Sequence, residues 1–94
     1  MRLAYLAELA EAFQPMPEVR VTWAEIDGYA VLSVEPVERA GRTVTIGCSY
    51  ERGHWRFCDA VTKEVIRPTS EVIAAANAVR WVVCRPPEKQ VAKG

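Results

Sequence analysis

The dipeptide Asp27-Gly28 constrains this chain more than any other feature, because it is a two-residue hairpin signal set between two alternating apolar segments. Asp and Gly both tolerate the positive φ of a tight hairpin turn, and such turns match the twist of the strands they join. A two-residue turn also fixes register, so the assignment can be checked pair by pair. With Ile26 opposite Tyr29, Trp23 faces Leu32, Val21 faces Val34 and Arg20 faces Glu35. Apolar meets apolar and cation meets anion, the pairing that stabilises neighbouring strands.

The same logic carries the sheet forward. A connection over Val37 to Gly41 lets Val34 meet Val44, Leu32 meet Ile46 and Ala30 meet Cys48, and a turn at Arg52-Gly53 brings Tyr50 opposite Trp55 and Cys48 opposite Phe57. Alternation then predicts an inner face of Val19, Val21, Trp23, Leu32, Val34, Val44, Ile46, Cys48, Tyr50, Trp55 and Phe57. The outer face collects Arg20, Thr22, Ser33, Glu35, Thr43, Thr45, Ser49, Arg56 and Cys58. A fifth short strand over Glu64 to Arg67 follows a turn at Ala60 to Lys63.

Helices flank these strands. Leu3, Leu6, Leu9, Ala10 and Phe13 fall on one side of an opening helix, with Glu8 and Glu11 on the other, and Pro15 and Pro17 end it. Pro68-Thr69-Ser70-Glu71 reads as an N-cap and acidic first turn for a closing helix over 71–84, which Pro86-Pro87 stops. The expected fold is a two-layer α+β domain over residues 1–87. In it, an antiparallel meander of four to five strands carries the N- and C-terminal helices on one face, and a polar tail follows over 88–94.

The closing helix has more apolar surface than such a fold uses. Val72, Ala75, Ala76, Val79, Val82 and Val83 already form a stripe wide enough to face a core, yet the opposite side carries Ile73, Asn77, Trp81 and Cys84. This second stripe either packs sideways against Leu3, Leu6 or Phe13 of the first helix or binds a partner. A partner would find Trp81 a good anchor, since aromatic residues dominate interface energetics.

Charge and cysteine content narrow the remaining classes. Lys plus Arg and Asp plus Glu are equal at 12 each, so net charge gives no reason to invoke nucleic acid or a membrane. The distribution is uneven, with two basic and seven acidic residues up to Glu38 and ten basic and five acidic from Arg39 onward. Cys48, Cys58 and Cys84 form no close pair, which argues for free thiols in a reducing compartment and hence a cytoplasmic protein. Glu8 and Glu11 interrupt the opening apolar run, so it does not read as a secretory signal.

No catalytic, metal or cofactor constellation is expected. His54 is the sole histidine and lies in a turn with Glu51 and Arg52, and no glycine-rich phosphate loop occurs. Gly47, within a strand, suggests a bulge or a close backbone approach. The leading expectation is a non-enzymatic protein-protein interaction module, adaptor or regulatory, that forms a homodimer through Ile73, Asn77, Trp81 and Cys84. One alternative is a nucleic-acid-associated regulator using Arg20 and Arg56, with Tyr29 nearby. The other is a small-molecule carrier with a pocket between sheet and helices lined by Trp23, Tyr50, Trp55 and Phe57.

Overall fold

A computed structural model of the chain describes residues 1–38 and 41–85. The elements run α1 (Arg2–Phe13), β1 (Val19–Ile26), β2 (Tyr29–Pro36), β3 (Val44–Glu51), β4 (His54–Asp59), β5 (Val65–Pro68) and α2 (Val72–Cys84). The strands form one antiparallel meander in the order β1-β2-β3-β4-β5. The expected polar tail, 88–94, and the Pro86-Pro87 stop lie outside the described residues. Arg85 is already extended at φ −77°, ψ 131°, the conformation favoured by a residue that precedes proline.

Turn chemistry sets the sheet. Asp27 and Gly28 take φ of 52° and 84°, and Arg52 and Gly53 take 53° and 79°, so both hairpins use paired positive φ values that suit the right-handed strand twist. The first hairpin then pairs without interruption from Ile26 with Tyr29 to Val19 with Pro36, in the expected register. Gly41, at φ +104°, closes a different contact: the Arg42 amide donates to the Val83 carbonyl at 3.2 Å, and a Cβ on Gly41 would collide with that oxygen. This ties the β2–β3 connection to the end of α2.

Both helices pack on one face of the sheet. Leu6, Leu9 and Phe13 of α1 and Ala75, Ala76, Val79 and Val83 of α2 join Val19, Leu32, Val34, Val44, Ile46, Cys48 and Phe57 in one buried cluster. The expected N-cap is replaced by another arrangement. Thr69 is buried and donates its hydroxyl to the Trp55 carbonyl at 3.2 Å, while Glu71 occupies the capping position without a side-chain cap. Thr69 therefore anchors β5 to β4 rather than opening the helix.

Alternation assigned faces correctly but not coverage. Trp23 and Tyr50 belong to the inner face, yet they are 51% and 58% exposed, because Trp23 lies on the edge strand and Tyr50 at a strand end. Leu3, expected on the core side of α1, is also exposed.

The outer face holds its own apolar row: Ala24, Val31, Gly47, Cys58 and Val65 lie on adjacent strands, and Val31 and Cys58 are buried. Gly47 pairs regularly with Cys58 of β4 and lies just past the last β2–β3 pair, Leu32–Ile46; an added Cβ would meet Ala60 Cβ at 3.7 Å and Val31 Cγ1 at 3.8 Å, which is ordinary contact. A separate register shift lies between Phe57 and Cys58 on the β5 side.

Candidate functional site

The closing helix divides its residues between two jobs. Its buried side enters the core, while Ile73 and Trp81 are each 64% exposed with exposed Asn77 between them. Spaced four residues apart, the three side chains form one stripe along the outside of the helix. They do not pack sideways on α1: Leu6 and Phe13 are consumed by the core, and Leu3 faces solvent.

Polar neighbours fix the edges of the stripe. Arg80 donates to Glu18 Oε2 at 3.3 Å and to Asn77 Oδ1 at 3.4 Å, which orients the amide. The Arg85 guanidinium lies 5.7 Å from the Trp81 ring centroid, a cation–π contact that holds the indole against the helix end. Cys84 is drawn off the stripe. It is half-buried with its Sγ 3.7 Å from the Glu18 carbonyl oxygen, and burial first and Glu18 second raise its pKa.

Arg20 and Arg56, the residues considered for nucleic acid, are not brought together. They lie on β1 and β4, three strand spacings apart across the sheet and offset toward opposite ends of it. Each has its own carboxylate, Arg20 with Glu35 at 3.3 Å and Arg56 with Glu51 at 3.8 Å. The four aromatics considered for a carrier pocket do not line one cavity between sheet and helices: Phe57 is wholly buried in the core, Trp55 is half-buried against Tyr50, and Tyr50 and Trp23 are mostly exposed.

A cluster that sequence reading missed lies at the far end of the sheet. The β2–β3 ladder consists of Leu32–Ile46, Ser33–Thr45 and Val34–Val44, so the expected Ala30–Cys48 pair is not formed and the strands part beyond Leu32. Arg2 of α1 enters this region. Its Nε donates to the Cys48 carbonyl at 3.4 Å, and its guanidinium carbon sits 4.8 Å from the Tyr29 ring centroid and 5.6 Å from that of Trp55. Trp55 in turn meets Tyr5 at 5.7 Å and Tyr50 at 5.2 Å. Arg2, Tyr29 and Trp55 are remote in sequence, so no local motif announces them.

The cysteines follow their faces. All three are free, with Cys48 and Cys58 buried. Burial, and secondarily Cys58, push the Cys48 thiol up to about 12, so it packs as a neutral apolar group. Among the described residues no group of three or more His, Cys, Asp or Glu side chains is placed to hold a metal ion, and no helix is long and apolar enough to cross a membrane. No protein-family model matches the sequence, and no curated protein or solved structure shows significant similarity to the chain.

Proposed function

We propose that this chain works as a protein-protein interaction module, not an enzyme, and that its partner is a second copy of itself docked antiparallel along α2. The observation that carries this reading is the exposure of Ile73 and Trp81, 64% each, on a helix whose opposite side is fully used by the core. Covering such side chains is favourable at about 25 cal/mol per Å² of apolar surface removed from water.

Self-pairing is favoured because the stripe is its own complement. A two-fold axis through Asn77 sets Ile73 of one copy against Trp81 of the other, twice, and places the two Asn77 amides opposite each other, each able to donate and accept. It also brings the Glu71 end of one helix beside the Arg85 end of the other, so unlike charges meet. The helix dipoles then oppose as well. One helical stripe is a small interface, which predicts reversible association with a dissociation constant on the order of micromolar.

Cross-linking on the axis tests the geometry. In a Cys84→Ser background, Asn77→Cys should oxidise to a covalent dimer readily, because equivalent positions on a two-fold axis approach each other. Glu8→Cys, exposed on α1, should not. Equal cross-linking of the two variants would remove the antiparallel arrangement, and none at position 77 would remove the interface.

A further inference from the structure

We propose that Arg2, held between Tyr29 and Trp55, anchors a binding site for a small ligand with an apolar body and a single carboxylate. This site is separate from the α2 stripe and does not depend on self-association.

The first observation is an arginine without its anion. A guanidinium is charged at all accessible pH values and is costly to bury unless compensated. Three described arginines are half-buried: Arg2, Arg56 and Arg80. Arg56 is paired with Glu51 and Arg80 with Glu18. Among the described residues Arg2 has no ion pair, and Nε alone of its nitrogens has a protein acceptor, the Cys48 carbonyl. Two aromatic rings hold it in place instead. A planar fork with fixed sides and unused donors is the geometry that recognises a carboxylate through two parallel hydrogen bonds.

The second observation is space beside it. Arg2 borders an open depression of about 460 Å³ whose wall includes Met1, Leu3, Tyr29, Ala30 and Trp55, roomy enough for one small molecule. Its lining contains no acidic residue, so an anion entering it meets the Arg2 guanidinium, the Met1 terminus and apolar walls. A second open space of about 370 Å³ that Arg2 also borders is lined by both Asp27 and Lys63, whose charges oppose each other. The first therefore suits a monoanion better than the second does.

The separation of β2 from β3 fits the same reading. With the ladder ended at Leu32 and Ile46, Tyr29 and Ala30 stand away from Cys48 and the space between is reached by Arg2.

Titration of the intact protein with 3-phenylpropionate, followed by two-dimensional amide NMR, tests the site. The expected result is saturable shifts at Gly28, Tyr29, Ala30 and the Trp55 indole, with a dissociation constant on the order of millimolar or tighter for a fragment of this size. The neutral 3-phenylpropionamide should bind at least about 10-fold more weakly, as the loss of a charge-assisted pair implies. Arg2→Gln should show the same loss for the acid while leaving the melting temperature near that of the parent. If the variant fails to fold, the acid-against-amide comparison on the parent protein decides alone. Equal binding of acid and amide, shifts that never saturate, or tighter binding of phenyl phosphate would each overturn the proposal. Repeating the titration on Trp81→Ala separates it from the dimer, since the site should survive whether or not the protein self-associates.

Discussion

Replacing Trp81 with Ala separates the two possible uses of α2, because the structure makes its cost in the monomer small. A fully buried Trp typically costs about 3–5 kcal/mol when cut to Ala. Trp81 is 64% exposed, so only about a third of that, about 1–2 kcal/mol, is at stake in the monomer. The dimer has much more to lose. Each indole has on the order of 100–160 Å² left to bury, worth about 2.5–4 kcal/mol at the usual coefficient. Alanine scans of interface anchors start at about 2 kcal/mol. Two rings per dimer, taken at that lower value, weaken self-association by about three orders of magnitude in dissociation constant. Sedimentation velocity across a concentration series should therefore show Trp81→Ala as a monomer where the parent dimerises, with a melting temperature only a few degrees lower. A variant that keeps the parent's association would refute the assignment, and one that unfolds would place Trp81 in the core, against its exposure.

Other expected outcomes probe the fold beneath this surface. Gly41→Ala should lower stability by several kcal/mol in urea unfolding, because its φ is positive and its Cβ would strike the Val83 carbonyl, whereas Gly47→Ala, with only ordinary contacts around it, should stay within about 1 kcal/mol of the parent. The Cys48 thiol is raised from 9.0 to about 12 by burial, so the folded state disfavours the thiolate. Its contribution is intact below pH 9 and should be lost as pH rises from 9.0 towards 12, at up to about 1.4 kcal/mol per pH unit. Urea midpoints should fall more steeply over that window for the parent than for Cys48→Ala, and parallel curves would contradict the assignment. Thiol titration under non-reducing conditions should give three free thiols after denaturation, with Cys84 reacting first in the native protein and Cys48 and Cys58 protected. A count of one would mean that two of them are bridged.

The sheet was legible because its information is local. Asp27-Gly28 and Arg52-Gly53 each fix a two-residue turn, and once a turn is fixed the period of two carries the register along both strands, as the pairs Trp23–Leu32 and Cys48–Phe57 show. Coverage is not local. Trp23 and Val31 have the parities expected of inner and outer residues, yet Trp23 is half exposed on an edge strand and Val31 is buried beside Gly47 on the face without helices. The exposed stripe was half legible: periodicity grouped Ile73, Asn77, Trp81 and Cys84, but the Glu18 carbonyl that draws Cys84 away comes from a segment 66 residues earlier. The Arg2 cluster was invisible for the same reason, since it depends on where β2 and β3 part and on which side chain of α1 reaches that point.

Sedimentation equilibrium of the unaltered chain, from sub-micromolar to about 100 micromolar, decides whether α2 pairs two copies, because a small interface of this kind should associate within that range. The weight-average mass should rise reversibly from one chain to two, fitted by a single monomer-dimer constant. A mass that stays at one chain throughout, with Trp81 still exposed to a collisional quencher at the highest concentration, would contradict that pairing.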